Sequence, residues 1–387
     1  MPETLEQPAQ PATAIAAEPV SDRPLMSILM LSARIGAGGL ADYTRDLAIA
    51  LVEQGHRVML HTVDGEGVRA IREELLNGGV QVELTDELTS ASVDRAIRES
   101  EANAIKLLSG SFPPDTRVAK LIVRSKLPIV ESIHAIPRRL KIGFGRKMFY
   151  RSRPKDLYRA VGFSPAMVDL FTELIPSLAS NFLFIDAGMR LPRAIPSDLD
   201  RRCPDPDWAR FVTATRLSET HKDTTTLIRA FSMLGQRLPN ATLQILGDGP
   251  DRARLEHEAH ACGVANRVQF AGWVDDVVPS LRVADVFVLA TKSEGFGRVN
   301  VSAAALGLPV IASNVGGCRA SVADGLNGVL VKPEDPKSLA EAMLRTVADP
   351  ERYRAMSQAG PEHAQRFAIA THASTLVDIM SSLPAKP

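Results

Sequence analysis

Cysteine is scarce, with only Cys203, Cys262 and Cys318 in 387 residues. They are odd in number, widely spaced, form no C-x-x-C pair and have no histidine at metal-ligand intervals, which argues against a disulfide framework or a structural zinc site. A reducing cytoplasm is the expected compartment. Net charge is also lacking, since 45 basic side chains stand against 45 acidic ones. The basic excess of a nucleic-acid binder is absent, and no nucleic-acid partner is expected. No stretch reaches the ~18 consecutive apolar residues that a membrane-spanning helix needs. The first 24 residues, MPETLEQPAQPATAIAAEPVSDRP, have neither the basic start nor the apolar core of a secretory signal. Rich in proline, alanine and acids, they are expected to form a disordered tail.

What is present is the profile of a globular protein, 45% apolar and 23% charged, and long enough for two cores. From Ser27 onward, β-branched or Leu-rich runs alternate with amphipathic segments, the signature of β-α units and parallel sheets. The first half offers SILMLSA, RVMLHTV, VQVEL, AIKLLSG and PIVESIH, then the weaker AVGFS and NFLFID. Between residues 190 and 210 the pattern lapses into a proline-rich linker. It resumes as FVTAT, ATLQILG, VQFAG, VFVLAT, PVIAS and NGVLV; the segment DTTTLIRAFSMLGQRL places Leu227, Ile228, Phe231 and Leu234 on one helical face. The expected architecture is α/β, with two Rossmann-like doubly wound parallel-sheet domains facing a central cleft. The ligands of such sheets sit beyond the carboxyl ends of the strands.

The strongest local motif is TKSEGFGRVNVSAAALGLPVIASNVGG, directly after the strand VFVLAT. Glu294 ends the strand, Gly295 and Gly297 allow close backbone approach beside Phe296, and a helix starts near Arg298 with its free amides and positive dipole end turned to the loop. A diphosphate would be held there. A bare strand-to-helix turn would use the same glycines for geometry alone.

The motifs RLSETHKDTTTLIRAF, LGDGPDRARLEHEA, NRVQFAGWV, ADVFVLATKSEGFGRVNV, GLPVIASNVGG and DGLNGVLVKPED occur in this order over roughly residues 211 to 345. Taken together they resemble the family 4 retaining glycosyltransferases, of GT-B fold. The resemblance implies that Arg216 and Lys222 bind the diphosphate of a UDP-, GDP- or ADP-sugar donor, and that Glu294 contacts donor-sugar hydroxyls. It also implies a C-terminal helix crossing back to the N-terminal domain. The domains then read as 1–24 tail, 25–195 acceptor side, 205–365 nucleotide-sugar side and 366–387 crossing helix.

Two departures stand out. Relatives space the Arg and Lys five apart; here the gap is six, and His221 occupies the fifth place. Either the loop bulges and Lys222 still reaches in, which is preferred, or His221 has taken the role. The family's Glu-x7-Glu pair also ends here at Ser302, where a ribose-gripping acid is expected, and Ala320 replaces another frequent Glu. A hydroxyl in place of a carboxylate loses charge-assisted hydrogen bonds of roughly 1.5–3 kcal/mol each, or about ten- to a hundredfold or more in donor affinity.

In the first half, Gly36-Ala37-Gly38-x-x-Ala41 with Asp64 mimics a dinucleotide fingerprint. The turn is longer than that fingerprint prefers, and GGLADYTRDLAIAL followed by GHRV resembles the N-terminal GT-B element. That resemblance implies Gly38 and Gly39 at a helix start facing the donor phosphates, and His134, ending PIVESIH, near the transferred sugar. Between Arg138 and Arg159 lie nine basic residues opposed only by Asp156, with Phe144, Phe149 and Tyr150 interleaved. Such a segment suits an anionic membrane surface or a lipid-diphosphate acceptor; a solvated basic loop has the same composition.

The expected function is transfer of a hexose-like unit, with retention, to a glycan or lipid-linked acceptor in bacterial surface polysaccharide synthesis, on the cytoplasmic side or inner membrane face. No metal and no other cofactor is expected, because Arg216, Lys222 and helix-end amides meet the leaving charge. The rivals are a non-catalytic GT-B paralogue that binds a glycan or a transferase, and a nicotinamide-dependent oxidoreductase.

Overall fold

The computed structural model describes residues 24–36, 38–109, 122, 124–134, 155–194, 201, 203–205 and 208–384. The expected tail, most of the basic segment and part of the linker lie outside the described residues. All thirteen strand candidates are strands, in two wholly parallel sheets. The first holds β1 (Ser27–Ser32), β2 (Arg57–Val63), β3 (Gln81–Thr85), β4 (Ala104–Ser109), β5 (Ile129–Ile133), β6 (Tyr158–Gly162) and β7 (Phe182–Phe184), in the order β3-β2-β1-β4-β5-β6-β7. The second holds β8 (Arg210–Ala214), β9 (Thr242–Leu246), β10 (Val268–Gly272), β11 (Val286–Leu289), β12 (Val310–Ser313) and β13 (Gly328–Val331), ordered β10-β9-β8-β11-β12-β13.

Helices α1 (Gly39–Glu53), α2 (Glu66–Asn77), α3 (Ser90–Glu99) and α4 (Pro165–Leu174) accompany the first sheet. Helices α5 (Thr224–Met233), α6 (Arg252–Ala261), α7 (Val278–Val283), α8 (Arg298–Ala305), α9 (Gly316–Ser321) and α10 (Pro336–Ala348) accompany the second, and α11 (Pro350–Gln365) and α12 (Ile369–Ser381) follow it.

Strand composition tracks sheet position. A central parallel strand is covered on both faces and reads as a continuous apolar run, as in SILMLS of β1, buried throughout. The edge strand β3, QVELT, is only partly covered. Leu227, Ile228, Phe231 and Leu234 are at most 1% exposed, each worth roughly 1.5–3 kcal/mol of burial.

Helix α12 packs on the N-terminal unit: Ala373, Leu376, Val377 and Met380 share a cluster with Ile28, Met30 and Leu47. The returning chain runs beside the outgoing one. Met189 N donates to Phe367 O at 2.9 Å, and Ile369 N donates to Met189 O at 2.9 Å. Phe296, Val301 and Ala305 from the C-terminal unit enter the same cluster, so the two units meet over an apolar floor.

Candidate active site

In a doubly wound sheet the crevice opens where strand order reverses. That point lies between β1 and β4 in the first sheet and between β8 and β11 in the second. The loop after β8 carries Arg216 and Lys222, and the loop after β11 carries Glu294. Motifs about seventy residues apart are therefore brought side by side by strand pairing.

Lys222 and Glu294 touch directly, Lys222 Nζ donating to Glu294 Oε2. Their side chains are 20% and 18% exposed, shielded yet reachable. The other carboxylate oxygen accepts from Gly295 N at 3.1 Å. His221 points outward, and only its backbone serves the site: its carbonyl accepts from Lys292 N at 2.9 Å, Ser293 N at 3.1 Å and Thr291 Oγ1 at 3.0 Å. Those bonds clamp the two loops together and turn the next residue, Lys222, inward. Arg216 is exposed at the mouth of the sheet and pairs with no carboxylate among the described residues. Its loop is pressed on the LGDGP turn, where a Cβ on Gly247 would stand 2.0 Å from Thr215 O.

The glycine loop is shaped by close approach. Gly297 caps α8 in the left-handed region at φ 85°. A Cβ on Gly317 would lie 2.4 Å from Glu294 O, and Gly317 N donates to that oxygen at 3.1 Å. Phe296 turns its ring into the apolar floor, 5.2 Å from Phe367, so only its backbone is offered to a ligand. Ser302 is half-buried on α8 and its hydroxyl has no hydrogen-bond partner among the described residues. Ala320 packs at the edge of the interdomain cluster.

From the N-terminal unit, Gly38 begins α1 at φ 92° with no side-chain cap, and Gly39 lies beside Arg298, with 3.7 Å between an added Cβ and Arg298 Cδ. The helix N-termini of α1 and α8 thus converge. His134 directly follows β5, with its carbonyl against Gly295. Its ring sits between Tyr43, at 4.6 Å, and Phe163, at 5.0 Å, and its Nε2 is shielded without a partner among the described residues. Burial, reinforced by the charges of Lys106 and Arg298, holds its pKa well below the usual histidine value, so the ring is neutral. Asp64 is held by Arg69 through bonds of 2.9 and 2.5 Å.

Sequence reasoning missed what lies behind these residues. Tyr43 Oη bonds His372 Nε2 at 2.9 Å and Ser132 Oγ at 3.1 Å, and Ser132 accepts from the fully buried Lys106 at 2.5 Å. Burial lowers the Lys106 pKa to about 7 and the His372 pKa to about 3. Asp46 is buried as well, bonded by Arg45 and Arg298. An acid three residues after Tyr43, on the apolar stripe of α1, was the available signal. Among the described residues no group of three or more His, Cys, Asp or Glu side chains is placed to hold a metal ion, and no helix is long and apolar enough to cross a membrane.

Comparison with known proteins bears on the fold and on the C-terminal half of the chain. Residues 205–363 match the family described as Glycosyl transferases group 1. A D-inositol 3-phosphate glycosyltransferase of Corynebacterium urealyticum is 33% identical over 170 residues, 42% of this chain and 40% of that relative's length. A GDP-mannose-dependent alpha-(1-6)-phosphatidylinositol monomannoside mannosyltransferase of Mycobacterium tuberculosis is 27% identical over 84% of this chain and 89% of its own. An Anabaena protein crystallised with UDP and glucose superposes with a TM-score of 0.73 at 21% identity, over 92% of this chain and 100% of that one, a likeness of fold. The chain has the GT-B fold, and the match to the Glycosyl transferases group 1 covers its residues 205–363.

Proposed function

We propose that the protein transfers a hexose-like unit, with retention, from a nucleoside-diphosphate sugar to a glycan or lipid-linked acceptor. The observation that carries this reading is the Lys222–Glu294 contact at the switch point of the second sheet. A cation for the diphosphate and a carboxylate for sugar hydroxyls touch each other, so the bond between sugar and phosphate falls where the two groups meet. As that bond breaks, negative charge grows on the leaving diphosphate. Lys222, the exposed Arg216 and the backbone amides at the starts of α8 and α1 meet it without a metal. Glu294 positions the sugar, and the neutral His134 is suited to hydrogen-bond a hydroxyl. The leaving phosphate helps deprotonate the acceptor on the same face, as the family 4 resemblance implies.

The relative named for phosphatidylinositol monomannoside supports a glycolipid acceptor; the cell-surface polysaccharide destination and work at the cytoplasmic membrane face belong to the same proposal. The basic segment 138–159 is the proposed membrane or acceptor contact. Neutralising four of its cations is expected to reduce partition onto anionic vesicles, and unchanged partition and acceptor use would dispose of that contact.

The test is turnover across a panel of UDP-, GDP- and ADP-sugars, with calorimetry on the bare nucleoside diphosphates. Hydrolysis or transfer of at least one donor is expected, and Arg216→Ala is expected to weaken diphosphate binding about ten- to a hundredfold. Well-folded protein giving no heat with any of the three nucleotides, and no response to Arg216→Ala, would end the reading. The absence of an acid at Ser302 favours one second reading, a GT-B paralogue that binds without turnover.

A further inference from the structure

Arg298 directly follows the glycine loop, where a guanidinium would be expected to face a phosphate. Its charge is committed elsewhere. Nη2 donates to Asp46 Oδ2 at 2.9 Å and Nη1 to Gly188 O at 3.1 Å. Asp46, 1% exposed, also accepts Arg190 N at 3.2 Å and Arg45 Nε and Nη2 at 3.1 and 2.9 Å. A buried carboxylate so fully bonded is rigid, and a guanidinium forked between it and a carbonyl has little freedom. The geometry is that of a strut. One end is the first residue of α8 in the C-terminal unit; the other is α1 of the N-terminal unit and the 188–190 segment leaving it.

We propose that Arg298 is a positioning residue: through Asp46 it fixes the separation of the uncapped N-termini of α1 and α8, and thereby sets donor affinity without touching the donor through its own charge. This rests on the transferase reading for the identity of the ligand, while the strut itself has a ligand-free readout. Two helix ends converging on one anion act together only at a fixed spacing, because each end's pull on the anion falls off within its first turn. The apolar floor alone permits sliding, because hydrophobic contact is non-directional; the forked hydrogen bonds are directional.

Arg45 supplies the control. It neutralises the same Asp46 but lies beside it on α1, so Arg45→Met weakens the support of the buried acid without cutting the interdomain link. In the full-length protein, Arg298→Met is expected to bind whichever of UDP, GDP or ADP the wild type binds about tenfold more weakly. It should also scatter X-rays as a more open particle and exchange the amides of residues 39–41 and 298–300 faster. Arg45→Met is expected to melt lower yet keep wild-type affinity, scattering and exchange at those amides. Asp46→Asn combined with Arg298→Met should bind no more weakly than Arg298→Met alone, because the two act as one unit. Equal affinity loss in Arg45→Met and Arg298→Met, or unchanged scattering and exchange in Arg298→Met, overturns the strut. If the wild type binds no nucleoside diphosphate, the transferase reading fails, and scattering and exchange alone decide the strut.

Discussion

Lys222 and Glu294, 72 positions apart in the chain, form a hydrogen-bonded ion pair whose approach is enforced by the His221 carbonyl, which gathers three donors from the loop after β11. The six-residue gap after Arg216 is therefore absorbed by using the backbone of His221 and the side chain of Lys222. Lys222→Met is expected to weaken nucleoside-diphosphate binding about ten- to a hundredfold, and His221→Ala to leave it within about twofold because only the carbonyl is engaged. Isothermal calorimetry on both variants checks the assignment; the reverse ranking would give the role to His221.

Placing an acid at Ser302 is the sharpest probe of the proposed ribose contact. Ser302→Glu is expected to tighten donor binding by about tenfold, or ~1.4 kcal/mol, through a charge-assisted bond to the ribose diol. No gain in a variant that melts like the wild type would support the non-catalytic paralogue.

Gly317 has no room for a side chain. Gly317→Ala places a methyl group 2.4 Å from Glu294 O, forcing the glycine loop to shift; a stability loss of ~1–3 kcal/mol and a fall in donor affinity are expected. Gly36→Ala, with nothing within 4 Å, should be nearly neutral. That outcome also speaks against the dinucleotide reading, in which Gly36, as the first glycine of the fingerprint, is required by the tight turn between strand and helix. Denaturant melts and calorimetry on the two variants decide it.

The buried Lys106–Ser132–Tyr43–His372 chain predicts how stability responds to pH. For both titrating bases the folded pKa is depressed, so between the folded and unfolded values the unfolded state binds more protons and stability rises with pH. For His372 that window runs from about 3 to the usual ~6.5; for Lys106 it runs from about 7 to ~10.4. His372→Gln should flatten the loss of stability on acidification below pH 6.5, and Lys106→Met should flatten the rise above pH 7. Chemical denaturation from pH 4 to pH 10 measures both slopes. Slopes unchanged by the substitutions would mean that these groups are hydrated in the folded protein.

Much of the molecule was legible along the chain. All thirteen strands announced themselves, the central ones such as β1 as continuously apolar runs covered on both faces and the partly covered ones such as β3 as short β-branched or Leu-containing runs between helical segments, and the helix face of Leu227, Ile228, Phe231 and Leu234 follows from its period. The loop around Glu294 was visible because glycines, an acid and a helix start share one short stretch. Other features depend on pairings that no local pattern encodes. That Lys222 and not His221 meets Glu294 turned on which side chain faces inward once β8 and β11 pair, and Phe296 proved to be floor because its ring meets Phe367.

The sequence by itself determined the alternation of elements and the chemistry available at strand ends, since burial periodicity and residue type are local properties. Only tertiary structure decided where the charges are spent. Arg298 bonds an aspartate 252 positions away, and Tyr43 a histidine 329 positions away, because electrostatic satisfaction of buried groups is a property of three-dimensional neighbours.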